Sequence, residues 1–234
     1  MFFDPVYLIF FIAIIVVSSA AQLYIRSTYG RWSRVPNGAG LSGGQVAEYL
    51  RDHARFGNRS GRDAITAINV VPGDLSDHFD PRDRSLSLSE VVAHQPSIAS
   101  MAIAAHEVGH AQQLAEGSAL MQFRALLVPA VSVGPGLAYL FIIGGLILNM
   151  TGLLTIGILL FGVAVLFSVL TLPVEIQASQ KALSMLESTG VVTSAQDRAG
   201  ARSMLTAAAL TYLAAAIGAI LTLLYYLTLA RRSN

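Results

Sequence analysis

Residues 125–174 read ALLVPAVSVGPGLAYLFIIGGLILNMTGLLTIGILLFGVAVLFSVLTLPV, and none of these 50 residues is charged. A helix needs about 20 mostly apolar residues to cross the hydrocarbon core of a bilayer. The stretch is too long for one such helix, and it divides at residues 149–152, where Asn149 and Gly152 favour a turn. The pattern therefore predicts two membrane-spanning helices, at residues 126–148 and 153–172.

Two further uncharged stretches, at residues 5–25 and 203–230, predict additional spans at 6–25 and 205–230. The first is expected to be an uncleaved anchor, because no basic residue precedes it as in a signal peptide. Only 12% of the 234 residues are charged, whereas soluble domains average about 25%. The deficit lies in the uncharged stretches, so we expect a mainly α membrane protein with about four transmembrane helices.

The composition excludes several classes of function. Fifteen Lys and Arg residues against fourteen Asp and Glu residues give a net charge of +1, so nucleic acid is not an expected partner. The chain has no cysteine, which excludes disulfides, iron–sulfur clusters and zinc sites built on thiolates. Any metal must therefore be held by carboxylates and by the five histidines, which are His53, His78, His94, His106 and His110.

Basic residues beside the spans predict the orientation in the membrane, because cytoplasmic flanks carry an excess of Lys and Arg. One side has seven of them, and the other has only the terminal pair Arg231 and Arg232, which argues mildly for the opposite orientation. Residues 26–125 and 173–204 are therefore expected in the cytoplasm, with both termini outside. The seven basic residues are Arg26, Arg31, Arg34, Arg124, Lys181, Arg198 and Arg202.

Residues 26–125 have the signals of a small α+β domain. Ser42 and Gln45 are spaced as a capping box, which opens a helix. Pro96 is typical of the first turn of another helix. The expected elements are a helix at 42–57, strands at 64–71 and 85–89, an Asp-rich loop at 74–84 and a helix at 96–116.

The last of these helices contains the sequence HEVGH at residues 106–110. Its two histidines are four residues apart, so they lie one turn apart on the same helical face and can reach one zinc ion. Glu107 is rotated about 100° from His106, which keeps its carboxylate off the metal but within reach of a water molecule there. Zinc makes such a water more acidic, and Glu107 would accept its proton during attack on a carbonyl and deliver it to the leaving amine. The motif predicts a zinc-dependent hydrolase.

A catalytic zinc site needs a third protein ligand and an open position. The metzincin pattern is excluded, because Gln113 and Glu116 occupy the positions where it has Gly and His. Glu175 is better placed than Glu116, since it opens a helical run predicted at 173–187, but an acid is also favoured there by the helix dipole. The downstream acids that the spacing offers are Glu116, Glu175, Glu187 and Asp197.

Several segments resemble the YugP family of bacterial membrane-embedded zinc metallopeptidases, and the resemblance covers essentially the whole chain. The family is distantly similar to HtpX-type membrane proteases, in which HExxH is completed by the Glu of a Glu-x-x-Ala-Asp element. The segments that carry the resemblance are Met1-Phe2-Phe3-Asp4-Pro5, Asp77-His78-Phe79-Asp80-Pro81, Leu86-Ser87-Leu88-Ser89-Glu90-Val91, the sequence AAHEVGHAQQ at 104–113, and Leu172-Pro173-Val174-Glu175.

The resemblance implies one catalytic Zn²⁺ ion, with His106, His110 and Glu175 as its ligands and Glu107 as the base. It implies a zincin-like catalytic domain at 26–125 and a helical segment at 173–204 that supplies the third ligand. Where the HtpX pattern has an Asp that orients a liganding histidine, this chain has Ser179, which can form a hydrogen bond but carries no charge.

Other residues have weaker claims to the site. His78 could bind metal or stabilise an oxyanion, although a solvated loop histidine is the simpler interpretation. Tyr212 could donate to an oxyanion or pack within the fourth span. The alternating strand at 85–89 could pair with an extended substrate if it lies at an edge of the sheet. Four aspartates alternate like calcium ligands but lack the glycine and final Glu of a calcium loop; they are Asp74, Asp77, Asp80 and Asp83.

These observations predict an integral membrane zinc endopeptidase of the bacterial inner membrane, with its active site facing the cytoplasm. It would hydrolyse peptide bonds of membrane or membrane-proximal proteins, which together with the lipid bilayer are its expected partners. The sequence does not decide whether it also belongs to a larger membrane complex. The alternative is a non-catalytic membrane adaptor with a structural zinc site, although structural zinc usually has four protein ligands. A zinc transporter is less consistent with predicted spans that contain no His, Asp or Glu.

Overall fold

The computed structural model describes residues 5–232, except for the side chain of Arg232. Residues 1–4 of the resembling N-terminal segment and the side chain of Arg232 thus lie outside the described part. The described chain is mostly helical, as predicted, with a small three-stranded sheet. The elements are α1 (Pro5–Trp32), α2 (Gly43–His53), α3 (Gly61–Ala64), β1 (Ala67–Val71), β2 (His78–Asp80), β3 (Ser85–Ser89), α4 (Glu90–His94), α5 (Ile98–Ala115), α6 (Ala119–Ile147), α7 (Thr151–Ser188) and α8 (Ala195–Arg232).

The chain divides into two compact units. The apolar unit comprises Met1–Gln22, Phe123–Pro173 and Leu210–Asn234. The HExxH unit comprises Leu23–Gln122 and Val174–Ala209 and contains the sheet together with α2 to α5. Four long helices, α1, α6, α7 and α8, contribute residues to both units.

The apolar unit contains the four helices that the uncharged stretches predict. Each of α1, α6, α7 and α8 is long and apolar enough to cross a membrane. Within this unit α6 and α7 approach closely at a glycine, because a Cβ on Gly157 would lie 2.9 Å from the carbonyl oxygen of Ala138. Small residues at such contacts are typical of helices packed in a bilayer. These features are those of an integral membrane protein.

One prediction for α7 is wrong. The sequence favours a new helical run at residues 173–187, whereas α7 runs without a break through Pro173 to Ser188. A proline inside a helix removes one N–H donor, and the other backbone groups keep their intrahelical partners because apolar surroundings offer no replacement. The third predicted span and Glu175 therefore lie on one continuous helix.

A single apolar core fills the HExxH unit, and α5 is its central element. Fourteen of the 18 residues of α5 are buried, which is typical of a helix covered on most of its faces. Leu50 of α2, Leu88 of β3 and Met101 of α5 are fully buried in this core. The motif helix is thus held rigidly by its neighbours.

The three strands form a sheet in the order β1-β3-β2. β3 pairs in parallel with β1 and antiparallel with β2, and all five of its residues are buried. The expectation of a half-buried or edge strand at 85–89 that could pair with substrate is therefore wrong. The serines of this strand are small enough to be buried, and Ser89 donates from its backbone N–H and its hydroxyl to the carboxylate of Asp77.

Local backbone preferences shift three predicted boundaries. Ser60 caps the short helix α3, so β1 begins at Ala67 rather than at residue 64. The hydroxyl of Ser97 caps α5, which begins at Ile98 and not at the preceding proline. α2 ends at His53 rather than at residue 57, because the next residue adopts an extended conformation. Helix ends follow from such caps more than from the apolar pattern.

A buried capping box opens α8. The carboxylate of Asp197 accepts from the backbone N–H of Ser194, and the Ser194 hydroxyl accepts from the backbone N–H of Asp197. The same carboxylate accepts hydrogen bonds from Gly38 and from Thr193. Burial alone would raise the pKa of Asp197, but these hydrogen bonds outweigh it and hold the pKa below its usual range. Asp197 therefore ties the loop after α1 to the start of α8.

Replacing Asp197 with Ala should lower the free energy of unfolding of the HExxH unit by about 1–2 kcal/mol, because several donors lose their acceptor. The fluorescence of Trp32, the only tryptophan and a core residue of this unit, would follow unfolding of the detergent-solubilised protein. A carboxyl whose pKa is lower in the folded than in the unfolded state stabilises the fold at every pH above its unfolded-state pKa. The difference should therefore be full at neutral pH and shrink below about pH 4.

Glu48, which is exposed on α2, offers the matched control. Its replacement with Ala should change the free energy of unfolding by less than about 0.5 kcal/mol. Equal effects of the two substitutions would contradict the role of Asp197 as a buried cap.

Candidate metal centre

Two histidines of α5 face one carboxylate of α7. His106 and His110 lie one turn apart, with ring centroids 4.8 Å apart and ring planes nearly perpendicular. The Oε2 atom of Glu175 lies 3.1 Å from Nε2 of His106 and 3.4 Å from Nε2 of His110. Among residues 5–232, these three side chains form a group whose donor atoms all lie within 4.8 Å of one another. The structure therefore brings together the three residues that the sequence pattern and the resemblance nominate.

The spacing of these atoms fits a zinc ion. Two ligand atoms at 2.0–2.1 Å from a tetrahedral zinc lie about 3.3 Å from each other. The two separations of 3.1 and 3.4 Å bracket that value. Two imidazole nitrogens and one carboxylate oxygen are also a donor set that zinc accepts. Both rings turn Nε2 toward the same carboxylate oxygen, so the three donor atoms converge on one place.

The three side chains of this group are buried, and their contacts shift the pKa values of Glu175 and His110. His106, His110 and Glu175 are 8%, 7% and 1% exposed. Glu175 lies beyond the predicted span at 153–172; burial would raise the pKa of its carboxyl, but the two imidazoles outweigh burial and lower it. Burial likewise opposes the charged form of His110, and its hydrogen bond to Glu175 together with the charge of Glu107 raises the pKa of His110. The cluster thus favours a negative carboxylate beside positive charge, which a bound cation would supply.

Glu107 lies beside the group without joining it. The side chain is buried, and its carboxylate has no hydrogen-bond or ion-pair partner among the residues that the structure describes. It is separated from both histidines around the helix, as the spacing predicts. A buried carboxylate without a protein partner is available to a water molecule or a substrate.

The other nitrogen of each ring also has a partner. The Nδ1 atom of His106 lies 3.2 Å from the hydroxyl of Ser179, and Nδ1 of His110 lies 3.0 Å from Oε1 of Gln113. The hydrogen bond that the sequence left open for Ser179 is therefore present. Gln113 is a residue whose contribution the sequence did not reveal. The feature of the sequence that could have identified it is its position three residues after His110, which places both residues on one face of α5.

Gly109, in the middle of the motif, sets how closely α5 and α7 approach. A Cβ at this position would lie 2.5 Å from the carbonyl oxygen of Ala178, closer than any real contact. The neighbouring atoms of Ala178 are backbone and cannot move independently of the helix. The absence of a side chain at Gly109 therefore permits the approach that brings Glu175 to the two histidines.

The other downstream acids have different partners. Glu116 pairs with Lys181, and Glu187 pairs with Arg198 at the surface. Asp197 caps α8. The geometry leaves Glu175 as the carboxylate that faces the histidines.

The remaining weaker candidates stay outside the group. His53, His78 and His94 are exposed, and each donates from Nδ1 to a backbone carbonyl two or four residues earlier. Tyr212 belongs to the apolar unit. Three of the loop aspartates make local hydrogen bonds or ion pairs, which are Asp77 with Ser89, Asp80 with Arg82 and Asp83 with Ser85. The interpretation of this loop as a turn, rather than a calcium site, fits these contacts.

The sequence over residues 7–231 matches the family described as “Putative neutral zinc metallopeptidase”. The chain belongs to this family. It is 35% identical over 215 residues to the protein of Bacillus subtilis (strain 168) named “Putative membrane protease YugP”, and the match covers 92% of each chain. The resemblance to the YugP family is thus confirmed. No solved structure matches the chain significantly.

A Cβ at Gly109 should separate the two helices. Gly109→Ala is expected to lower the free energy of unfolding by about 1–3 kcal/mol, because the close contact is with backbone. Trp32 fluorescence would report the loss. Gly30→Ala is the matched control, since Gly30 is helical and, apart from its own stretch of helix, no atom lies within 4 Å of the position that the new methyl group would take. That substitution should be neutral or stabilise by up to about 1 kcal/mol. Equal stability of both variants would contradict the close approach.

Proposed function

We propose that this YugP-family chain is an integral membrane zinc endopeptidase of the HExxH type. The observation that supports it most is the convergence of His106, His110 and Glu175 on one point at the spacing that zinc requires. The membership of a zinc metallopeptidase family agrees with this assignment. We propose the same three residues as the ligands of a single catalytic Zn²⁺.

Three protein ligands leave a fourth position for water or substrate, as catalytic zinc sites do. Zinc, when bound, supplies Lewis acidity that acidifies a water molecule and polarises the scissile carbonyl. The protein supplies what surrounds that chemistry: a buried pair of imidazoles, a carboxylate that balances charge, and rigid helices on both sides. We infer a zincin-like arrangement for the HExxH unit on these grounds.

Glu107 has the role of general base in this proposal. Its carboxylate is next to the histidines, is buried and has no protein partner in the described chain. It accepts a proton from the attacking water and gives it to the nitrogen of the leaving amine as the C–N bond breaks, which releases the new acid and the amine. The carboxylate is regenerated at the end of the cycle.

We propose membrane or membrane-proximal proteins as substrates. The four apolar helices support a location in the bilayer, and the relative from Bacillus subtilis carries the name of a membrane protease. The excess of Lys and Arg within residues 26–125 and 173–204, close to the ends of the spans, favours a cytoplasmic active site. Proteomic comparison of membranes with the parent chain and an inactive variant would identify substrates as proteins that accumulate in the latter.

The alternative is a membrane adaptor with structural zinc. Structural zinc sites are usually closed by four protein ligands, whereas this cluster has three among residues 5–232. A buried carboxylate with no partner, such as that of Glu107, has no purpose in a purely structural site. The enzyme therefore accounts for more of the observed residues than the adaptor does.

Glu107→Gln should abolish hydrolysis while zinc is retained. The amide has nearly the same shape but cannot accept a proton, so cleavage of a fluorescently labelled unfolded protein by proteoliposomes should fall by roughly 10²–10⁴-fold. Elemental analysis should still find one zinc per chain. Unchanged cleavage would refute the base, and loss of zinc together with cleavage would assign Glu107 to the metal instead.

Glu175→Ala should weaken zinc binding, because it removes one of three ligands. Competition with a chromophoric chelator would measure the affinity of the detergent-solubilised protein. Glu116→Ala removes an acid that caps the C-terminal end of the motif helix but pairs with Lys181, so it should leave the affinity unchanged. If Glu116→Ala released zinc and Glu175→Ala did not, the proposed ligand set would be wrong.

A further inference from the structure

The amide of Gln113 is fully buried in the HExxH unit, and both of its ends have partners. Its Nε2 atom donates to the backbone carbonyl of Val174 over 2.9 Å, and its Oε1 atom lies 3.0 Å from Nδ1 of His110. The side chain is 0% exposed. Gln113 therefore connects the second histidine of the motif to the residue that precedes Glu175.

The carbonyl of Val174 determines which way this amide points. A carbonyl oxygen can only accept a hydrogen bond, so the NH₂ group of Gln113 must face it. The Oε1 atom consequently faces His110, and this oxygen can also only accept. The hydrogen in that contact must belong to Nδ1 of His110. The ring is thus held with Nδ1 protonated, which leaves Nε2, the nitrogen that faces Glu175, as the one available to a metal ion.

Ser179 cannot make the same choice for His106. A serine hydroxyl donates or accepts equally well, so the contact of 3.2 Å with Nδ1 is compatible with either neutral form of the ring. The two histidines of the motif differ in this respect. Gln113 thus fixes a hydrogen on Nδ1 of His110, whereas Ser179 does not define whether Nδ1 of His106 carries one.

We propose that Gln113 is a positioning residue, which selects the Nδ1-protonated tautomer of His110 and holds that ring in register with Glu175 through the Val174 carbonyl. The inference rests on the proposed zinc site. Partners of this kind fix the orientation of a liganding imidazole, and their loss typically weakens metal affinity by roughly 10–100-fold. In this chain the partner is an uncharged amide. Its NH₂ group is fixed by a backbone carbonyl of α7, and its oxygen is thereby turned toward the histidine on α5.

Three variants separate this role from simple packing. Gln113→Met keeps the length and volume of the side chain but removes the acceptor, and it should weaken zinc binding by roughly 10–100-fold in chelator competition. Gln113→Glu keeps an acceptor for the Nδ1 hydrogen but loses the donor to the Val174 carbonyl, so its affinity should lie between that of Gln113→Met and that of the parent. Gln112→Met is the matched control, because Gln112 is the adjacent glutamine and bonds to Glu116 instead. Its affinity should not change.

The tautomer itself can be measured. The chain has five histidines, so ¹⁵N-histidine spectra of the metal-free protein at alkaline pH are simple enough to assign. The parent chain and Gln113→Glu should show His110 protonated at Nδ1, and Gln113→Met should show a mixture of both neutral forms. This measurement on the parent chain does not depend on whether Gln113→Met folds.

The outcomes distinguish this proposal from the zinc site on which it rests. Absence of zinc binding by the parent chain would refute the site itself. Normal zinc binding with His110 protonated at Nε2 in the metal-free parent would overturn only the role of Gln113. An equal loss of affinity in Gln113→Met and Gln113→Glu would assign Gln113 to packing, and parental affinity in Gln113→Met would also overturn the proposal.

Discussion

The approach of one carboxylate to two imidazoles is the interaction on which the rest of the HExxH unit depends. Glu175 is almost completely buried, and an isolated buried charge costs several kcal/mol. The carboxylate is stable there because Nε2 atoms of His106 and His110 lie 3.1 and 3.4 Å away. That arrangement demands close helices, which the missing side chain of Gly109 permits against Ala178. The packing of α5 on α7, the charge balance at Glu175 and the candidate metal centre thus all depend on the same close contact.

The polar groups around this contact are as specific as the packing. Each imidazole uses one nitrogen toward Glu175 and the other toward an uncharged partner from α5 or α7. Uncharged partners add no further negative charge to a cluster that already contains Glu107 and Glu175. A metal dication bound by the three residues would meet one charged ligand and two neutral ones, with a second carboxylate close by as a base. This balance suits a hydrolytic zinc site better than a closed structural one.

Much of the architecture was predictable because membrane spans and the motif are local signals. Uncharged stretches of 20 or more residues predict the long helices, and the four-residue spacing of HEVGH predicts a shared face. The central position of β3 was not predictable, since serine and leucine alternate equally well in an edge strand and in a buried one. The unbroken α7 was missed because Pro173 is a local signal of a break that apolar surroundings override. Gln113 was missed because its meaning depends on a carbonyl 61 residues away.

The central claim is that His106, His110 and Glu175 together hold one zinc ion. The zinc K-edge X-ray absorption spectrum of the purified, zinc-loaded protein tests it most directly. We expect a zinc ion with two imidazoles in its shell and oxygen as the remaining ligands, all at about 2.0–2.1 Å. A spectrum with one imidazole or none, or with a third imidazole in the shell, would contradict it.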